Sequence, residues 1–313
     1  MNLPSYINCD YRSSIQFNKM SRLLLYINEP GSERIDPTET FESIKYALEK
    51  GIMAFHVSSS DKDGIASLGA ALKEWSGKSP KISLGIGEIG TGTTVSAPGI
   101  FNNDSILKTI DQSLYNIGIE MIDMLVLNDP PVSQLPVFPE IIDSINELQI
   151  KGIIGFKGIG CYRPGEIESL IRGDYFDFLW GMNRLNACNL DALQGEIQLL
   201  QKAGMGYLNS SVLHMSLLGN RLGQYSRERP ESTLVSERDI SVAVMASRIA
   251  ARNNMTITEM AYRYAFSTGE SGIVALSTGD RLHMQELIES WTKGPLSKEL
   301  FDSINSNTIS FYR

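Results

Sequence analysis

A single (β/α)8 barrel is the fold class this sequence predicts. Three observations carry that expectation. Short apolar runs alternate with segments of 3.6-residue apolar spacing along the whole chain. The alternation repeats eight times. The apolar runs are nearly continuous, as parallel strands covered on both faces require. An open doubly wound sheet usually has fewer strands and a glycine-rich first turn. Here the first turn is Asn28-Glu29-Pro30-Gly31, which is not G-x-G-x-x-G.

The first strand is read over Ser21–Asn28. A helix over Thr38–Lys50 stops at Gly51, the residue type that most easily ends a helix. Strand two is Ile52–Ser58, with helix Ile65–Trp75. Strand three is Lys81–Gly87; a Gly- and Thr-rich loop follows, then helix Ser105–Asn116. Strand four is Met121–Asn128, with helix Pro139–Ile150. Strand five is Gly152–Gly160, with helix Pro164–Arg172, and strand six is Phe176–Asn183, with helix Asp191–Ala203. Strand seven is Gly206–Val212. A longer segment holds helices near Asp239–Asn253 and Ile257–Ser267. Strand eight is Ile273–Ser277, and Leu282–Trp291 is the last helix. Residues 1–20 read as an N-terminal segment and 292–313 as a C-terminal tail, so one barrel domain spans 1–313. No linker or low-complexity tract interrupts it. A length of 313 residues suits one barrel domain.

Composition narrows the function. A net charge of −8 without a basic block argues against nucleic acid or an anionic membrane as partner. Cys9, Cys161 and Cys188 form no C-x-x-C pair, so neither a disulfide framework nor a zinc site is expected, and a reducing compartment fits. The three histidines lack metal-ligand spacing, so no metal is expected. No basic-then-apolar leader and no membrane-length apolar run is present, which points to a cytoplasmic protein with a small-molecule substrate or ligand. Oligomeric state is left open.

Several segments resemble the aldo-keto reductase superfamily, nearest its sugar 1-dehydrogenase branch. Residues 47–55 (ALEKGIMAF) resemble the passage from its first helix to its second strand, and residues 68–72 (LGAAL) its next helix. Residues 113–127 (SLYNIGIEMIDMLVL) are similar to "SLxxLGxxxIDLxxxH". Residues 152–160 resemble the fifth strand, 209–218 (NSSVLHMSLL) resemble "NASPLSMGLL", and 277–284 (STGDRLHM) resemble "GTGNxxHL". The resemblance implies the same barrel and a nicotinamide nucleotide, NAD or NADP. It also implies a Tyr proton donor helped by Lys, Asp and His.

This sequence departs from the four catalytic positions. Against "FDTAxxYG" stands Phe55-His56-Val57-Ser58-Ser59-Ser60-Asp61-Lys62, so His56 matches the Asp and Asp61 the Tyr. Strand three has no Lys at its end, and Asn128 matches the His. An Asp, with an ordinary pKa near 4, is an anion at pH 7 and cannot replace a phenol as donor. Acid–base help of about 10²–10⁴-fold is therefore expected to be lost from standard carbonyl reduction. By the same resemblance, Gly160, Cys161, Asn183, Ser211, Ser277, Thr278, Gly279 and Arg281 are the candidate nucleotide contacts. Backbone N–H groups near 279–281 suit a phosphate, although Asp280 brings an anion beside them.

Each candidate has a chemical and a structural reading. His56 and Asp61 could form one acid–base pair in the mouth, or be two solvated polar groups. Asn128 would orient a polar group of the substrate. Lys157 could be a desolvated amine inside the barrel, or point outward to a carboxylate. His214 could reach the mouth or simply pack, and His283 reads as packing on the last helix. Glu88 could restore polarity to the mouth, while Cys161 reads as an inert thiol. Tyr262, Tyr264 and Phe266 read as packing, and Arg227–Arg229 as a solvated loop. Three functions stay open. One is altered acid–base chemistry, non-standard or non-redox, on a small polar, sugar-like or biosynthetic molecule. Another is an NAD(P)-dependent oxidoreductase with a substitute proton donor. The third is an inactive pseudoenzyme that binds a ligand or partner.

Overall fold

The computed structural model describes residues 6, 22–27, 36–87, 101–130, 138–161, 164–172, 174–228, 235–277 and 281–312. Eight strands close in sequence order: β1 (Leu23–Tyr26), β2 (Ala54–Ser58), β3 (Lys81–Ile86), β4 (Ile122–Asn128), β5 (Ile154–Cys161), β6 (Phe178–Met182), β7 (Gly206–Ser210) and β8 (Ile273–Ser277). Every neighbouring pair is parallel, including β1 with β8. Around them lie α1 (Pro37–Glu49), α2 (Lys62–Glu74), α3 (Asn103–Ile117), α4 (Phe138–Ile150), α5 (Glu196–Ala203), the single turn α6 (Leu222–Tyr225), α7 (Glu237–Arg252), α8 (Ile257–Ser267), α9 (Arg281–Lys293) and α10 (Lys298–Ser310).

Strand side chains alternate between two faces. One parity fills the barrel, with Leu24, Tyr26, Met124, Val126, Phe178 and Trp180 among its members. The other parity, with Leu23, Leu25, Phe55, Val57, Leu84 and Leu125, packs outward under the helices. A third cluster joins α7, α8 and α10 through Val242, Ala246, Tyr264, Phe301 and Ile304. The rings of Tyr264 and Phe301 stack at 5.1 Å, and Tyr264 donates to Asn305 at 2.6 Å, so Tyr264 packs as expected.

Three expectations are corrected. The segment after β5 is a 3₁₀ helix, Pro164–Leu170, and not an α-helix. Pro164 and Gly165 open the segment, and the poor helix former Gly165 leaves it as a short 3₁₀ run. The expected helix over 191–203 breaks in two, a 3₁₀ turn Asp191–Gln194 and α5, because Gly195 adopts φ −141° and ψ −86° between them. The C-terminal tail is mostly α10, started by the side chain of Ser297, which accepts from the Leu300 amide. Its apolar residues Phe301 and Ile304 carry the helical spacing that buries them.

Candidate active site in the barrel

Inside the barrel, β2, β3 and the end of β4 bring together a buried polar group. His56 lies beside Ser83 in the β2–β3 register, and both are fully buried. His56 Nδ1 and Ser83 Oγ are 2.8 Å apart. The edges of Tyr26 and Trp180 meet the imidazole, each with ring centroids 4.4 Å away. Burial pushes the His56 imidazole down to about 3, so the ring is neutral at physiological pH. Among the described residues, its Nε2 has no hydrogen-bond partner.

Asn128 ends β4, almost fully buried. Its amide Nδ2 donates to the Gly87 carbonyl at 3.3 Å, and its Oδ1 has no partner among the described residues. Two glycines make room for it. A β-carbon on Gly85 would stand 2.8 Å from Asn128 Nδ2 and 3.0 Å from His56 Nε2. One on Gly160 would stand 2.3 Å from Asn128 Oδ1. The Asn128 amide therefore spans the wall from Gly85 to Gly160, with His56 at one end. Unsatisfied buried polar atoms are uncommon and cost about 1–3 kcal/mol each.

Other candidates lie elsewhere. Asp61 is the N-cap of α2: its Oδ1 accepts from the Gly64 amide at 2.9 Å, and its Oδ2 has no partner. The expected His56–Asp61 pair is not formed, because the helix start has claimed the carboxylate. Lys157 is also corrected. It belongs to the outward parity of β5, and its ammonium contacts Asn146 on α4. Burial lowers the Lys157 pKa against the upward pull of Asp177, Asp174 and Asp143. Cys161 turns outward too, into the layer between sheet and helices. Arg281 is exposed at the start of α9, its guanidinium 5.5 Å from the centre of the Tyr46 ring. Glu88, Thr278, Gly279, Asp280 and Arg229 lie outside the described residues.

His214 is fully buried in the turn after β7. Its Nε2 lies 3.3 Å from Asp239 Oδ2, close enough for an ion pair but not aligned as a hydrogen bond. Its Nδ1 is 3.3 Å from Asn186 Nδ2. Burial opposes ionisation of Asp239, but His214 and the Ser236 cap outweigh it and hold the carboxyl at about 2. Residues 214, 215 and 216 all have left-handed φ, of 50°, 57° and 63°. That conformation costs roughly 1–2 kcal/mol per residue, so the pairing of His214 with α7 holds a strained turn in place. Arg238 extends this cluster to the C-terminus, 4.1 Å from the Tyr312 ring centre. His283 is exposed on α9.

Sequence reasoning passed over Tyr26, Ser83 and Trp180. Alternation within a strand pairs each of them with its own i±2 neighbours, but which parity faces inward followed only from the register between strands.

A closed parallel barrel with helices around it is a (β/α)8 architecture, here with a buried polar group inside it. The family profile described as "Aldo/keto reductase family" matches residues 27–308, and the chain belongs to that family. No curated protein matches it in sequence. Among solved structures it is similar to the holo form of aldo-keto reductase AKR11C1 from Bacillus halodurans, at 17% identity and a TM-score of 0.73, covering 92% of each chain. It is similar to the glycerol dehydrogenase AKR11B4 from Gluconobacter oxydans, at 15% identity and a TM-score of 0.71, covering 93% of this chain and 92% of that one. It is also similar to the thermostable aldo-keto reductase Tm1743 in complex with the inhibitor epalrestat, at 16% identity and a TM-score of 0.68, covering 98% and 100%.

The family implies a nicotinamide nucleotide. Of the candidate contacts described, Asn183 supplies one suitable atom: its Oδ1 is buried without a partner at the end of β6, where the backbone has φ 58°. Ser211 is half-buried with φ 56°, and Ser277 is half-buried at the end of β8. Gly160 has no side chain and Asn128 occupies the space above it, while Cys161 and Arg281 face elsewhere. Thr278 and Gly279, which the resemblance also implies, lie outside the described residues. Among the described residues, no group of three or more His, Cys, Asp or Glu could hold a metal ion, and no helix is long and apolar enough to cross a membrane.

Proposed function

We propose that this barrel acts on a small, uncharged polar molecule, sugar-like in carrying carbonyl or hydroxyl oxygens, through altered acid–base chemistry centred on His56 and Asn128. One observation carries the reading: among the described residues, two buried inward-facing side chains keep unpartnered polar atoms, His56 Nε2 in the middle of β2 and Asn128 Oδ1 at the end of β4. A ligand hydroxyl would donate to Asn128 Oδ1, and a ligand oxygen would pair with His56 Nε2. The neutral imidazole suits hydrogen-bonded polarisation of an oxygen more than donation from an imidazolium. Asp61 serves its helix and Lys157 faces Asn146, so neither enters the chemistry. The usual Tyr–Lys pair has no evident substitute on β3, whose inner residues here are Ser83 and Gly85.

Calorimetric titration with glycerol, aldoses and small ketones tests this reading, with turnover followed by product analysis. At least one ligand is expected to bind. His56→Gln and Asn128→Ala should each weaken it by about tenfold, the loss of one buried hydrogen bond. Unchanged affinity in both variants refutes the assignment. Binding without turnover leaves a ligand-binding pseudoenzyme.

A second reading is an NAD- or NADP-dependent oxidoreductase that uses a substitute donor. Family membership and the unpartnered Asn183 Oδ1 favour it. It expects quenching of protein fluorescence by NADH or NADPH; no binding at millimolar nucleotide ends it.

A further inference from the structure

We propose that Ser83 sets the tautomer of His56, keeping the ring proton on Nε2 so that an N–H donor faces the barrel interior. The use of that donor rests on the proposed ligand site; the tautomer itself does not. Ser83 and His56 are both fully buried, and they lie side by side in the β2–β3 register with Oγ and Nδ1 2.8 Å apart. Among the described residues, this is the one side-chain hydrogen bond Ser83 makes.

Counting donors decides between the two neutral forms. An imidazole carries one proton for two nitrogens, and a hydroxyl can donate or accept. With the proton on Nδ1, the ring donates to Ser83 Oγ. The Ser83 hydroxyl proton then has no acceptor, and Nε2 is a bare acceptor without a donor. Two buried groups are left unsatisfied. With the proton on Nε2, Ser83 donates to Nδ1, and only the Nε2–H is left over. One fewer unsatisfied group favours this form by about tenfold or more.

The consequence is a matched pair of donors. Asn128 uses one amide proton on the Gly87 carbonyl and keeps a second. Its Nδ2 and His56 Nε2 stand 2.8 and 3.0 Å from the same notional point above Gly85. That point is where a Gly85 side chain would begin, so the glycine leaves both neutral N–H groups open to the barrel interior, where they suit an oxygen that accepts, such as a carbonyl, and disfavour an ammonium group. In this arrangement Ser83 is a positioning residue, acting through His56.

Long-range ¹H–¹⁵N correlation spectra of the full chain labelled with ¹⁵N-histidine read the tautomer directly. His56 is assigned by subtracting the signals lost in His214→Asn and His283→Asn. The expected wild-type pattern is a pyridine-type Nδ1 and a pyrrole-type, protonated Nε2. Ser83→Ala should shift Nδ1 toward the tautomer average, and Ser83→Thr should restore it. A wild-type proton on Nδ1, or an unmoved Nδ1 signal in a folded Ser83→Ala, overturns the proposal. If Ser83→Ala does not fold, the wild-type spectrum alone decides. Glycerol and acetone serve as probes in the same samples. Failure of both to perturb His56 while Nε2 carries the proton counts against the ligand site and leaves the tautomer standing.

Discussion

His56 and His214 are both completely buried, yet their surroundings lead to opposite chemistry. His56 meets a hydroxyl and two aromatic edges, with no carboxylate among its hydrogen-bond or ring contacts, and burial alone drives it down to about 3. His214 has Asp239 at 3.3 Å, and that carboxyl is held at about 2. Equal burial therefore comes with different partners: a hydroxyl and aromatic rings at His56, a carboxylate at His214. The neutral ring at β2 is available to a ligand, whereas the carboxylate-paired ring after β7 clamps a strained turn to α7.

The largest effect expected from this contrast is a loss of stability in acid. An unfolded histidine titrates near 6.5 and folded His56 at about 3. Between those values the unfolded chain binds the extra proton. Stability is thus full above 6.5 and falls as pH drops toward 3, by up to about 1.4 kcal/mol per pH unit. The depressed Asp239 carboxyl adds a separate loss between 3.8 and about 2. Urea unfolding across this range in wild type and His56→Gln measures it. An equal slope in both proteins would break the contrast.

Asp239→Ala comes next. It strips His214 of its carboxylate and removes the reciprocal cap with Ser236 at the start of α7. A loss of about 3 kcal/mol is expected, the usual scale for breaking a buried pair, with α7 and the turn after β7 exchanging amide hydrogens faster. A change under about 1 kcal/mol would mean that the contact is incidental.

Ser83→Ala should cost about 1 kcal/mol, since it leaves His56 Nδ1 without its partner. A denaturation midpoint equal to that of wild type contradicts this. The smallest effect belongs to Lys157→Met, within about 1 kcal/mol, because a similar-length apolar chain can fill the outward space beside Asn146. Ligand affinity should be unaltered. Weakened binding in Lys157→Met would restore an active-site role for the amine.

Much of the fold was legible because burial on both faces forces continuous apolar runs, and eight such runs have few ways to close. Element ends were less legible. Asp61 starts α2 a full turn before its first large apolar residue, Ile65, so the apolar pattern alone placed the helix start late. The site was legible in its residue types but not in its pairings. His56 inside β2 and Asn128 at the end of β4 stand together as inward polar groups, while Asp61 and Lys157 were drawn toward the mouth by sequence proximity and by an apolar neighbourhood. Strand parity separates Lys157 from Phe156, which packs against the barrel interior. A cap bond five residues along the chain separates Asp61 from His56.

By itself the sequence determined the barrel, the family and the identity of the polar residues on the strands, since apolar periodicity and motif order are properties of the chain. Only the tertiary structure decided which polar atoms are spent and which are spare. That outcome depends on register and on close approaches between neighbouring strands: Ser83 falls beside His56, and Gly85 and Gly160 leave room for the Asn128 amide. No single strand encodes those contacts, because each is made between side chains that the closed sheet brings within a few ångströms.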